Sequence, residues 1–342
     1  MRPVLSPAAR RLWRDRETLQ LGRDARAAVL SGVDEGTRAT LALLDGTRDR
    51  GQVLVDAAAA GRPPERTAVL LQLLEDAGLV EDAGADRSAL AGLERGERER
   101  LSTDLGSLAL VRRDGGLPAA GHRREARVRV VGAGRVGAPL AALLAAAGIG
   151  QVDVDDDGSV RPQDTGVGGL ALDDVGRRRG EAASERLRRV APSARAGDGP
   201  DLVVLTPTRP DQLDDALTRV PPRTAHLLAE VRDTVGVVGP LVLPGRSACL
   251  RCTDLTRTDL DPGWPALAAQ LAMPSRSAEV CDGPLAVMVA AQAALQVLLL
   301  VDGTADPVSV GGTLELALPD WRWRRRTWPM HPACGCALGH TA

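Results

Sequence analysis

Residues 127–157 read RVRVVGAGRVGAPLAALLAAAGIGQVDVDDD. An apolar run enters the turn Gly132-x-Gly134-x-x-Gly137, an alanine- and leucine-rich stretch of helical length follows, and a second apolar run ends among Asp153, Asp155, Asp156 and Asp157. Strand, glycine turn, helix and strand in that order form one unit of a dinucleotide fold. Gly132 permits the tight turn and Gly134 lets backbone N–H groups approach a phosphate. Gly137 lets helix and strand pack closely, while the helix N-terminus attracts an anion. Asp155 or Asp156 falls about 20 residues beyond the glycines, where a ribose hydroxyl is held, so a NAD site and an ATP site read alike at this level.

Further along, residues 177–190 read as a helix, 201–205 as a buried strand, 211–220 as a helix, and 226–231 and 235–243 as strands, the second running antiparallel. Cys281-Asp282-Gly283-Pro284 opens a long apolar helix to Leu300, and residues 313–323 read as a last strand with Trp321 and Trp323 on a buried face. Strands alternating with helices predict an α/β protein with a Rossmann-like, doubly wound sheet. Cys249 and Cys252 have the spacing with which one turn offers two thiolates to a tetrahedral zinc, and Cys334-x-Cys336 supplies a second pair. We expect a closed, structural zinc site on these four cysteines, with His331 as the reserve ligand. Cys281, the fifth cysteine, is expected to be a packed small residue rather than a nucleophile.

The glycine turn, the Gly148-Ile149-Gly150 join and the two cysteine pairs, in that order, resemble the ThiF/MoeB family, bacterial relatives of the ubiquitin-activating enzymes. The resemblance spans residues 127–340. It implies a homodimer, an ATP site that adenylates the C-terminal carboxylate of a peptide or small protein, and the structural zinc. It makes Gly132, Gly134, Gly137 and Asp156 the expected nucleotide contacts. Three positions then depart from the family pattern. Its Ser-Asn-Leu-x-Arg-Gln is replaced by Pro162-Gln163-Asp164-Thr165-Gly166-Val167-Gly168, without the catalytic arginine. Its lysine falls on Arg179, which keeps the charge but changes the geometry and is the one candidate catalytic residue. Its magnesium-binding aspartate falls within Thr206-Pro207-Thr208, and a hydroxyl is a weaker ligand for a hard dication than a carboxylate. These departures predict a degenerate pocket in which ATP with magnesium is a doubtful ligand. Arg98 and Arg100 lie where the family's partner-reaching arginine is sought, but the local pattern does not carry that role over.

Residues 1–84 read as a separate domain. Residues 12–21 and 28–33 are strand-like, with a turn at Gly22-Arg23-Asp24, three helical stretches follow, and a helix stop at Gly78 precedes Leu79-Val80. This winged-helix pattern, placed before a ThiF-like domain, resembles the PqqD-like elements that bind a leader peptide by strand addition. Residues 85–126 read as a linker with a helix over 89–111 and a loop over 114–121, and residues 127–342 as the ThiF-like domain. The 342-residue chain has no Lys, Asn, Phe or Tyr, so all 43 basic residues are Arg and the core must be aliphatic. A net charge of −2 gives no reason to expect nucleic acid or an anionic membrane as partner. The start MRPVLSPAARRLWRDRETL lacks an apolar signal core, and paired cysteines suit a reducing compartment, so a cytoplasmic protein is expected.

The leading expectation is a non-catalytic protein that captures a precursor peptide and presents it to a modifying enzyme such as a YcaO-type cyclodehydratase. An active adenylyltransferase is the alternative. A NAD(P)-binding protein is a third reading, against which the cysteine pairs count.

Overall fold

The computed structural model describes residues 1–23, 27–112, 115–197, 199–274 and 280–336. It divides into two compact units, Met1–Gly121 and His122–Ala342. Asp24, Asp114 and His340, which belong to expected loops and the chain end, lie outside the described residues.

In the first unit β1 (Pro3–Leu5) pairs antiparallel with β5 (Val80–Asp82), while β2 (Arg11–Trp13), β3 (Leu19–Leu21) and β4 (Ala28–Leu30) form an antiparallel meander. The single strand expected over residues 12–21 is thus a hairpin. Asp15 accepts from Glu17 N at 2.8 Å and Arg14 N donates to Thr18 O at 2.9 Å, which closes a turn inside the run. Helices α1 (Glu35–Leu43), α2 (Arg50–Ala59) and α3 (Pro64–Asp76) follow. Asp34 and Asp49 cap the first two by accepting from Thr37 N and Gln52 N at 2.7 and 2.8 Å, and Pro64 opens the third at a position that needs no N–H. Leu41, Leu70, Leu71 and Leu74 meet Leu19 and Leu21 in an aliphatic core. Gly78, at φ +70°, ends α3, and the next residues enter β5 as the sequence implies. The helix expected from residue 89 starts later. Gly92 at φ +79° breaks the chain, and α4 (Arg95–Val111) begins behind a Glu94/Glu97 capping box.

Helix α5 (Leu117–Glu125) occupies the stretch expected to be a loop, and the second unit is built on a seven-stranded sheet of order β12-β11-β10-β9-β8-β6-β7. β6 (Arg127–Val131), β7 (Gln151–Asp155), β8 (Leu202–Leu205) and β9 (Ala225–Arg232) are parallel; β10 (Val235–Val242), β11 (Gly312–Ala317) and β12 (Trp323–Thr327) continue antiparallel. All four residues of β8 are buried, as a strand covered on both faces requires. Val128, Val130 and Val204 face the core under α6 (Gly137–Ala146), α7 (Arg179–Val190) and α11 (Gly283–Asp302); Val131, Val203 and Leu205 face α8 (Leu213–Thr218). The last expected strand is two. Pro319 and Asp320 interrupt it, Trp321 sits at φ +54° and 41% exposed outside either strand, and only Trp323 is half-buried.

The join between α6 and β7 is as tight as its glycines suggest: Ile149 is fully buried, and a Cβ on Gly150 would lie 1.8 Å from Arg124 O. α11 has the length and mean hydropathy (2.1) of a membrane span, but here its Leu285, Val289, Ala293 and Val297 are buried against α6, β9 and β10. At its end Asp302 receives a bidentate ion pair from Arg123, at 2.7 and 2.6 Å, with both side chains under a tenth exposed. Helices α9 (Leu250–Leu260) and α10 (Trp264–Leu271) follow the first cysteine pair.

Candidate nucleotide and metal sites

Register brings the glycine turn to the carboxyl edge of the sheet. Val131 pairs with Asp155 on one side and Leu205 on the other, so Gly132, Asp156 and Thr206 leave three adjacent strand ends. β7 and β8 flank β6 on opposite sides, which makes this the point where strand order reverses and where α/β sheets leave a crevice. Gly132 sits at φ +101°, and a Cβ there would lie 2.4 Å from Thr206 O. A Cβ on Gly137 would lie 2.0 Å from Gly132 O, so the helix can approach the strand only at a glycine. Both are required by the turn itself.

Gly134 differs. A Cβ on it would meet the Thr208 methyl carbon at 2.4 Å, so the space that a bare glycine leaves for a phosphate is occupied by a side chain from the loop after β8. Thr208 is held there by Gln212, whose Oε1 accepts from its N–H at 3.0 Å and its hydroxyl at 2.9 Å. Thr206 Oγ1 donates to the Val131 and Gly132 carbonyls at 3.0 and 2.8 Å. Neither residue offers a carboxylate, and both hydroxyls are committed to the fold.

Asp156 is equally committed. Its Oδ2 accepts from Ala133 N at 2.7 Å; its Oδ1 accepts from Gly158 N at 2.8 Å and from Arg179 Nε at 3.0 Å. Arg179 also reaches Asp164 Oδ2 at 3.3 Å, and Arg161 binds Asp164 through Nε and Nη2 at 3.1 and 2.9 Å. Burial works against the Asp164 charge, but the hydrogen bonds from Arg161 and the nearby Arg179 hold its carboxyl below the usual range. Arg179, 11% exposed at its side chain, is therefore the cation of a buried Asp156–Arg179–Asp164 bridge. The residues do not fit a magnesium triphosphate: the expected cation is neutralised, the dication lacks its carboxylate, and the approach at Gly134 is filled.

One residue escaped the sequence reading. Arg135, inside the turn, donates from Nε to Thr165 O at 3.2 Å and from Nη1 to Cys281 O at 2.5 Å. An arginine within a glycine turn is visible in the sequence, but its direction is not. Cys281 itself is half-buried against the core, and Asp282 rather than Cys281 caps α11, accepting from Leu285 N at 2.9 Å.

The four remaining cysteines converge. Cys249 begins α9, Cys252 lies in its first turn, and Cys334 and Cys336 return beneath it, with all four sulfurs within 4.8 Å of one another. Cys249–Cys334 and Cys252–Cys336 are 3.4 Å apart and Cys249–Cys252 3.8 Å. These exceed a disulfide bond and approach the ~3.8 Å edge of a tetrahedron with ~2.3 Å zinc–sulfur bonds. Burial opposes ionisation of Cys252, yet the His331 and Cys249 backbone N–H groups bring its thiol down to about 7; burial raises Cys249 and Cys336. The donor set and spacing fit zinc, which these cysteines would hold as a structural cross-link. His331 faces elsewhere: its Nε2 meets Asp259 Oδ2 at 2.8 Å and its Nδ1 accepts from Ala333 N at 3.1 Å, leaving only its backbone N–H for Cys252. Beside the cluster, Arg257 lies between Trp264 and Trp328, 4.8 and 5.2 Å from the ring centres.

In the first unit a cavity of about 420 Å³ opens between the end of β4 and α3, lined by Leu30, Val33, Arg62, Val69 and Leu73 among others. Val69 and Leu73 are 60% and 57% exposed, and among the described residues of this unit no strand pairs with the outer edge of β4. An apolar slot beside an open strand edge can receive an extended peptide.

No curated protein matches the chain by sequence. Residues 109–203 match the ThiF family. Among solved structures, E. coli MccB with ATP is 15% identical, covering 98% of this chain and 99% of its own at a TM-score of 0.74. MccB, the microcin C7 biosynthetic enzyme, in complex with N-formylated MccA is 15% identical over 98% and 100%, TM-score 0.73. PaaA is 17% identical over 94% and 99%, TM-score 0.70. Residues 109–203 thus resemble the ThiF family, within a fold that the chain shares over nearly its whole length with MccB and PaaA.

Proposed function

We propose that this protein binds a precursor peptide through a PqqD-like winged-helix domain, residues 1–84, and presents it to a separate modifying enzyme, with a nucleotide site that no longer catalyses. A linker, residues 85–126, leads to the ThiF-like domain, residues 127–342, in which Cys249, Cys252, Cys334 and Cys336 hold zinc. The leader peptide adds as a strand to β4, its side chains entering the slot beside Val69 and Leu73. The protein acts as a cytoplasmic homodimer, and the partner is a cyclodehydratase of the YcaO type. The observation that carries the reading is the filled cradle: the Thr208 methyl group over Gly134, together with Arg179 closed between Asp156 and Asp164. The likeness to MccB, solved with a peptide, supports peptide binding.

The same likeness favours a second reading, since MccB is also solved with ATP: an adenylyltransferase acting on a peptide carboxylate, with Gly132, Gly134, Gly137, Asp156 and Arg179 around the nucleotide. Two titrations separate them. The zinc-loaded protein is titrated with magnesium ATP and assayed for pyrophosphate exchange with candidate peptides; exchange that disappears in Gly134→Asp overturns the presenting role. In parallel, a labelled leader peptide encoded beside the gene is titrated by anisotropy against wild type and Leu73→Asp. Tight binding lost in Leu73→Asp, with no exchange, is the expected result.

A further inference from the structure

The slot between β4 and α3 has two kinds of lining. Val69, Leu70 and Leu73 make it apolar, while Asp34, Arg62 and Arg66 bring charge to it. Arg62 enters from the turn before α3, with 12% of its side chain exposed. Its Nη1 donates to Thr37 Oγ1 at 2.5 Å and to Asp34 Oδ1 at 3.3 Å, and its Nη2 donates to Arg66 O at 3.3 Å. Its Nε is buried and meets no acceptor among the described residues. A buried N–H without an acceptor costs free energy that a bound acceptor restores.

Charge around Arg62 is unbalanced. Asp34 Oδ1 already accepts from Thr37 N and Oγ1, at 2.7 and 2.6 Å, as the cap of α1. Those bonds, and after them the charges of Arg62 and Arg66, hold its carboxyl below the usual range, so one carboxylate faces two guanidiniums. Glu65 and Arg66 are exposed, and neither makes an ion pair among the described residues. Pro63 gives α3 no side-chain cap, so the positive end of the helix dipole adds to the same sign. The slot therefore favours an occupant with a negative charge beside an apolar group, and an acidic side chain offers the acceptor that Arg62 Nε lacks.

The spacing suits an extended chain. Arg66, Val69 and Leu73 share a face of α3, and the midpoint of the Val69–Leu73 pair lies about 7.5 Å along the axis from Arg66, five residues at ~1.5 Å each. Alternate residues of a strand point to one side about 6.5–7 Å apart. We propose that the slot selects an extended peptide in which an acidic residue, bound by Arg62 and Arg66, stands two positions from an aliphatic residue bound between Val69 and Leu73. This rests on the reading of residues 1–84 as the peptide-binding domain, and names the class of peptide that the domain takes.

The test is selection of short random peptides, displayed on phage, by the immobilised full, zinc-loaded chain. Enriched sequences are expected to share an acidic residue two positions from an aliphatic one. The most enriched is then labelled and titrated by anisotropy, alongside a copy in which the acid is replaced by its amide, against wild type, Arg62→Gln, Arg66→Gln and Arg95→Gln, the last a substitution outside the slot. Unfolding midpoints are measured for each. The amide copy is expected to bind wild type about tenfold more weakly than the acid, with that preference shrinking in Arg62→Gln and Arg66→Gln and unchanged in Arg95→Gln. Enrichment of aliphatic residues without the acid, an amide copy that binds wild type as tightly, or an undiminished preference in a folded Arg62→Gln overturns the charge selection and leaves the peptide-binding domain standing. No enrichment of any peptide overturns both. Should Arg62→Gln fail to fold, the exposed Arg66→Gln decides: an undiminished preference overturns the proposal, and a smaller one supports it.

Discussion

Arg179→Ala separates a structural arginine from a phosphate ligand. The substitution leaves Asp156 and Asp164, 7% and 3% exposed at their side chains, without the cation between them. Removing one partner of a buried ion pair costs about 3–5 kcal/mol, most of it from the charge left behind. Part of that cost is relieved here. Asp156 keeps the Ala133 and Gly158 N–H groups, and Asp164 keeps Arg161. The lower end, about 3 kcal/mol, is the expected loss. At roughly 2–4 °C per kcal/mol for a domain of this size, the unfolding midpoint falls by about 6–12 °C. The assay is urea unfolding at pH 7 followed by tryptophan emission, with Asp164→Asn and the double variant completing a cycle. Because Asp164 is held below its ordinary value, its contribution is present above about pH 4 and disappears as pH falls through the lower folded value. The wild-type advantage over Arg179→Ala should therefore shrink in acid. A loss below about 0.5 kcal/mol, the level of ordinary surface substitutions, would refute the closed bridge and free Arg179 to serve a phosphate.

If Cys249, Cys252, Cys334 and Cys336 hold zinc, chelator treatment of the zinc-loaded protein is expected to change Trp328 emission, since this buried ring packs on Cys252 and Cys334, and Cys252→Ser should do the same without chelator. Gly137→Ala forces a carbon to 2.0 Å from Gly132 O and should cost at least about 3 kcal/mol or prevent folding; Gly96→Ala, with nothing within 4 Å, should stabilise its helix by about 0.4–1 kcal/mol in thermal melts. Burial pushes the His226 imidazole below its usual value against the opposing bond to Thr224 O. The unfolded chain then binds more protons below about pH 6.5, so stability should rise with pH up to that value, by at most about 1.4 kcal/mol per unit, and level off above it. His226→Gln should flatten that rise in urea titrations.

The strand–turn–helix unit at residues 127–157 was legible because each glycine answers to a steric requirement that no other residue meets. The antiparallel run of β10 and the convergence of the cysteine pairs were legible for similar reasons of pattern and spacing. Elements cut by a short polar turn were not: Asp15 to Thr18 and Pro319 to Trp321 split apolar runs that periodicity reads as continuous, and a left-handed tryptophan leaves no mark in composition. At the candidate site, sequence spacing brought Asp156 and Arg179 to the glycine turn but could not tell that they would bind each other. Arg135 was hidden by the opposite problem, since its acceptors Thr165 and Cys281 lie 30 and 146 residues away.

The cysteine cluster joins residues 85 positions apart, with α9, α10, α11, β11 and β12 between them. A metal there turns this stretch into a closed ring. The first pair alone offers two thiolates, too few for a tetrahedral structural site, so firm metal capture waits until the second pair has been made and has folded back. A zinc held there would be the last clasp of the fold, and chains cut short of Cys334 would be left open, metal-poor and distinguishable from whole ones by that fact alone.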